Sequence, residues 1–198
     1  MSSREVILSR IRAALGDTVP PAEVSRDYRR GERVADLDLL VARLEDYKAV
    51  VHRGVSVAET VAALAPAPLV VPPGIDAGWL PDGIEVLRDD GLGADTLAVA
   101  GGVLTAATVA VAETGTIVLD GSADQGRRVL SLLPDLHICV VRADQVVASV
   151  PEALARLDPS RPLTWISGPS ATSDIELNRV EGVHGPRRLH VILTEAAP

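Results

Sequence analysis

The chain has 198 residues, enough for one domain of ordinary size, and its 47% hydrophobic content with 2% aromatic describes an aliphatic core of Ala, Val and Leu. Its 19 basic and 27 acidic residues leave a net charge of −8, the wrong sign for a phosphate backbone, and with no Phe it lacks stacking platforms for single strands, so nucleic acid is excluded as a partner. The one cysteine, Cys139, makes no internal disulfide and no iron-sulfur ligand set, and no CxxC or HxxxH pairing is present, so neither a metal nor a cofactor is expected on this chain.

The elements follow in chain order. Ser2 and Glu5 have capping-box spacing, and Ile7, Leu8, Ile11, Ala14 and Leu15 recur at helical intervals before Gly16, which predicts a short amphipathic helix docked on the core or, second, on another subunit. No long apolar leader and no apolar run near 18 residues is present, so the protein is expected to be soluble and cytoplasmic, with no membrane contact. Residues 17–33 are polar, Pro-bearing and aperiodic, a wrapping segment, lid or linker, which divides the chain into an N-terminal helix and extended segment over 1–33 and a domain over 34–198.

From residue 34 the patterns alternate. Helices are expected near 34–47, 56–64, 105–112, 128–133, 152–157 and 174–180. Strands are expected near 49–52, 69–71, 84–87, 97–100, 116–119, 137–141, 163–167 and 189–193. Strands that are continuously apolar and interleaved with helices imply an α/β fold, a mainly parallel sheet with helices on both faces.

The motifs GxxxxGK[ST], GxGxxG, GxSxG and HExxH are absent, which removes the common nucleotide-binding, hydrolase and zincin readings. Three stretches remain. In Ala112-Glu113-Thr114-Gly115-Thr116, Glu113 falls in the last turn of the expected helix, where the macrodipole disfavours an anion; it reads as a surface carboxylate beside a turn or as a site carboxylate, flanked by Thr114 and Thr116. In the stretch from Gly168 to Asp174, a strand-to-helix turn offers backbone N–H groups and hydroxyls as an anion cradle; Ser173 with Glu176 is itself a capping box, which leaves Ser170 and Thr172 for a ligand. His184, between Gly182 and Gly185, sits in a constrained turn suited to acid–base work or required only for conformation. Arg127-Arg128 offers a bidentate clamp for a carboxylate or the solvated start of a helix. His137 and His190 read as core or rim histidines, and Cys139 as an inert small hydrophobe.

The segments AVAETGTIVLDG, DQGRRVLSLLPDLHICVV and ISGPSATSDIELNRVEGVHGPRRLHVIL resemble, in order and spacing, the lactate utilization protein C branch of the LUD-domain family, strongly over Leu97 to Leu193. The resemblance implies a fold like that of ribose-5-phosphate isomerase, glucosamine-6-phosphate deaminase and CoA transferases. It also implies a role in oxidising L-lactate to pyruvate with iron-sulfur partner subunits, which fits the single cysteine; a small organic acid is the expected ligand, and homo-oligomerisation is left open. It assigns no catalytic residues, so the candidates rest on motif position and local physics: Glu113 and His184 as catalytic, with Thr114, Thr116, Arg128, Gly168, Ser170 and Thr172 as substrate-binding. The rival reading is a stand-alone enzyme or binding protein of the same fold acting on a sugar phosphate, folate or CoA-linked acid, with Glu113 as the reactive carboxylate.

Overall fold

A computed structural model describes residues 2–16, 24–25, 34–169 and 185–195. The helix expected near 174–180 and the residues Ser170, Thr172, Ser173 and His184 lie outside the described residues.

Six strands form one wholly parallel sheet in the order β1-β10-β7-β4-β2-β3, where β1 is Val50–Arg53, β2 Leu69–Val71, β3 Val86–Arg88, β4 Gly102–Ala106, β7 Leu136–Arg142 and β10 Arg188–Thr194. The central strands are buried on both faces, which is why their sequences are continuously apolar instead of alternating. Helix α2 (Leu37–Asp46) begins where the Asp36 carboxylate accepts from the N–H groups of Asp38 and Leu39. It buries Leu40 and Leu44, four residues apart on one face, against Leu189, Val191, Leu193, Cys139 and Val141. Each buried leucine of this kind contributes about 1.5–3 kcal/mol. Helix α3 (Val57–Leu64), capped by Ser56, covers the opposite face over Leu69, Val71, Leu104, Ile138 and Ile192. Helix α4 (Ala94–Ala98) packs Leu97 on Val70 and Val103 beside a 3-10 turn at Arg128–Ser131. Helices on both faces of a mainly parallel sheet are thus the architecture read from the sequence.

A second sheet had no counterpart in that reading. Strands β5 (Val109–Val111), β6 (Thr116–Leu119), β8 (Val146–Val147) and β9 (Thr164–Ile166) lie in the order β8-β5-β6-β9, with β5 parallel to β8 and β6 antiparallel to both β5 and β9. One face, with Ala110, Ile117 and Leu119, packs on the large sheet, while Val109, Val111 and Val118 meet Ala153 and Leu157 in and after α5 (Val150–Arg156).

Four local expectations are corrected. Residues 105–112, expected as a helix, complete β4 and form β5: a short run of Ala, Val and Thr fits either period, and pairing with β7, β8 and β6 decides. Residues 97–100, expected as a strand, end helix α4, and the strand starts at Gly102; a Cβ on Gly101 would collide with the Pro66 carbonyl oxygen, so this close crossing admits only glycine. The helix expected at 128–133 is one 3-10 turn ahead of Pro134. Helix α1 (Ser3–Leu15) forms with its Ser2–Glu5 capping box, yet it buries no residue, so it is not docked on the core of the described residues. No helix among the described residues is long and apolar enough to cross a membrane.

Candidate functional site

A cavity of about 410 Å³ opens at the carboxyl edge of the large sheet. Ligands of α/β proteins gather on this edge, because the loops that leave parallel strands converge there, most openly where the strand order reverses. In this sheet the reversal lies between β2 and β4. The loop from Asp120 to Arg127 crosses that point: the Gly74 N–H, after β2, donates to the Ala123 carbonyl at 2.8 Å, and the Ala106 N–H, ending β4, donates to the Asp124 carbonyl at 3.0 Å. A Cβ on Gly74 would meet the Ala123 backbone carbon at 2.8 Å, so glycine permits this close seating.

The loop holds its own shape. The Ser122 N–H and hydroxyl both donate to Asp120 Oδ1, at 3.0 and 2.6 Å, an Asx turn, and the N–H groups of Gln125 and Gly126 donate to the Ser122 carbonyl. Buried Gln125 accepts from the Asp120 N–H at 2.7 Å through Oε1 and donates from Nε2 to Thr108 Oγ1 at 2.9 Å, tying the loop to the start of β5. Arg161 closes the wall, donating from Nε to the Asp120 carbonyl and pairing with its carboxylate at 3.4 Å.

The adjacent arginines play different parts. Arg127 donates from Nε and Nη2 to the two oxygens of Asp89, at 2.8 and 2.5 Å, and from Nη2 to the Leu92 carbonyl. This is the bidentate carboxylate clamp, turned inward: the Asp89 side chain is 2% exposed, and the guanidinium holds its carboxyl below the usual carboxylate range. Arg128 faces the cavity and donates from Nη1 to Thr164 Oγ1 at 3.2 Å; among the described residues no carboxylate pairs with it.

A polar seam lies in the sheet beside this loop. Thr105 Oγ1 and His137 Nε2 are 2.8 Å apart, and the Cys139 thiol donates to the Ala106 carbonyl at 3.8 Å. Burial pushes His137 down to about 4, which leaves it neutral at pH 7, and pushes the Cys139 thiol up to about 12, so it is no nucleophile. Burial also raises the Asp124 carboxyl, whose Oδ1 is buried without a hydrogen-bond partner among the described residues. His190 is half-buried on the other face, stacked on His52 with ring nitrogens 3.0 Å apart. Among the described residues no cluster of three or more His, Cys, Asp or Glu side chains is placed to hold a metal ion.

The structure separates the other candidates from Arg128. Glu113, Thr114 and Gly115 form the hairpin turn between β5 and β6, with Gly115 at φ +61° against the backbone of Arg43 in α2. The helix-end argument for Glu113 therefore falls; it is an exposed turn residue whose N–H donates to the Ala148 carbonyl. Thr116 Oγ1 links Thr114 and Ser167, 2.8 Å from each hydroxyl, and Gly168 at φ +92° packs on the Tyr47 carbonyl. This group sits at the start of β6, while Leu119, paired with Thr164 beside Arg128, ends it, a span of about 10 Å for three residue steps. Sequence reasoning missed Asp89 and Gln125 as wall residues and Asp120 as the carboxylate that shapes the loop; the Asp-Gly-Ser turn signature at 120–122 is the signal that marks it.

The LUD domain model matches residues 80–194. The chain is 50% identical over 187 residues to lactate utilization protein C of Deinococcus radiodurans, covering 89% of this chain and 86% of that one. It is 37% identical over 101 residues to lactate utilization protein C of Bacillus licheniformis, 46% of this chain and 41% of the relative. A crystal structure of a DUF162 family protein from Deinococcus radiodurans superposes with a TM-score of 0.69 at 46% identity, over 80% of this chain and 95% of that one. The chain belongs to the LUD-domain family.

Proposed function

We propose that this protein is a component of a cytoplasmic L-lactate utilization system, which oxidises L-lactate to pyruvate, and that it binds a small organic acid within it. The observation that supports this most is the 50% identity, over nearly the whole of both chains, to a relative named lactate utilization protein C. Lactate oxidation releases two electrons that need a redox acceptor. A chain with one cysteine, itself buried, has no thiolate set for an iron-sulfur cluster, and this supports placing those centres on partner subunits. The decisive experiment is deletion of the gene in a strain with no second lactate-oxidising enzyme. Growth on L-lactate should fail or slow while growth on pyruvate stays normal, because the block lies between the two acids. Equal growth of deletion and parent strains on L-lactate would refute the reading.

A further inference from the structure

We propose that the cavity at the carboxyl edge of the large sheet is a monocarboxylate-binding site in which Arg128 supplies the recognition fork. The proposal rests on the organic-acid reading above and deepens it by naming the site and the chemistry of its ligand.

Charge sets the ligand class. Two arginines line the cavity: Arg127 is neutralised by Asp89, whereas Arg128 has no carboxylate partner among the described residues and is the lining cation open to a ligand. One negative charge on the ligand matches it, whereas a dianion would add a second charge beside the carboxylates of Asp89 and Asp120.

Geometry makes the same selection. Arg127 uses its Nε and Nη2 edge to grip both oxygens of Asp89. Arg128, the next residue, is held from the other side: Thr164 Oγ1 takes Nη1, and the Nε and Nη2 edge has no hydrogen-bond partner among the described residues. That edge is the planar pair of donors that fits a carboxylate bidentately. The remaining walls suit an organic body: Pro73, Leu119 and Pro162 are apolar, and Ser131, whose hydroxyl donates to the Arg128 carbonyl, keeps an acceptor lone pair for a ligand hydroxyl. With about 410 Å³ of space, the site also admits 2-hydroxy and 2-oxo acids longer than three carbons.

The test is calorimetric titration of the full chain with L-lactate, pyruvate and 2-oxobutyrate, and with sulfate as a non-carboxylate anion, on wild type, Arg128→Gln and Arg128→Lys. At least one of the three monocarboxylates should bind the wild type. Both variants should lose about ten- to a hundredfold in that affinity at an unchanged melting temperature, because Lys keeps the charge but not the fork. Undiminished affinity in Arg128→Gln, full rescue by Arg128→Lys, sulfate binding as tight as the acids, or no binding of any of them would each overturn the site. The two readings fail separately. A deletion strain that cannot grow on L-lactate, in a protein that binds no monocarboxylate, removes the site and keeps the lactate role; binding lost in the Arg128 variants with normal growth of the deletion strain does the reverse.

Discussion

The two ends of strand β6 solve the same problem, a strand leaving the smaller sheet, with different chemistry. At its start, Thr114, Thr116 and Ser167 share hydroxyl–hydroxyl bonds, and the turn is seated on α2 through Gly115. At its end the chain enters a loop whose shape depends on ionised and amide groups: Asp120 with Ser122 and Arg161, Gln125 with Thr108, Asp89 with Arg127. Hydroxyls satisfy one another without net charge, so this hydroxyl cluster does not itself titrate. The cavity end concentrates titratable groups around one guanidinium that has no carboxylate partner among the described residues. The two ends thus differ in whether the polar groups that shape them carry charge.

Acid should break this comparison most strongly, because the fully buried His137, whose value burial lowers to about 4, lies in the seam beside the cavity end. His137 has a folded value of about 4 against an unfolded value of 6.5, so below pH 6.5 the unfolded chain binds the proton first and stability falls with falling pH. The window runs from 6.5 down to about 4 and amounts to roughly 3 kcal/mol. Below it Asp89, whose folded value lies under its unfolded one, adds a further loss as its carboxylate is protonated. Urea unfolding at pH 7 and pH 4.5 should show most of the first loss. A flat profile would mean that the His137 ring is not buried as a neutral base.

The inward clamp comes next. Arg127→Ala would leave the Asp89 carboxylate, with its side chain 2% exposed, only the N–H groups of Gly91 and Leu92 as partners. Because the Arg127 side chain is itself 48% exposed, water offsets part of the loss, and a cost of about 2 kcal/mol is expected by denaturant titration. Monocarboxylate binding should weaken less than in Arg128→Gln. If Arg127→Ala proved the more damaging of the two for binding, the division of labour between the neighbouring arginines would be inverted.

Much of this architecture was legible in the sequence, and the most costly failure came from a run that carries no decisive period. The buried strands β7 and β10 announce themselves as long apolar runs, and α2 and α3 through their caps and spacing, since burial on both faces or on one stripe leaves a pattern in the residues. Residues 105–112 leave none: buried at every position but Thr108, rich in Ala, Val and Thr, they fit a helix as well as two strands, and the choice is made by the strands they pair with, β7, β8 and β6. That single misreading displaced Glu113 from a hairpin to a helix end. At the site, Arg128 and the notion of a carboxylate clamp were readable from adjacent arginines, but not that Arg127 would spend its fork on Asp89, 38 residues away.

The smallest expected effect belongs to Glu113, and it bears on the rival reading. Its side chain is exposed in the β5–β6 turn, and its local backbone is fixed by the N–H bond to the Ala148 carbonyl and by the seating of Gly115 on α2, neither of which involves the carboxylate. Glu113→Gln preserves the shape and hydrogen-bonding reach of an exposed side chain, and exposed polar contacts contribute little, so stability should change by less than about 1 kcal/mol. Monocarboxylate affinity should stay at the wild-type level, since the turn lies about 10 Å of strand away from Arg128. The deletion strain carrying this variant should grow on L-lactate like one carrying the wild type. Loss of growth with an unchanged melting temperature and unchanged ligand affinity would place a reacting group at the hairpin end instead, and would make the exposed turn, and not the cavity, the centre of the chemistry.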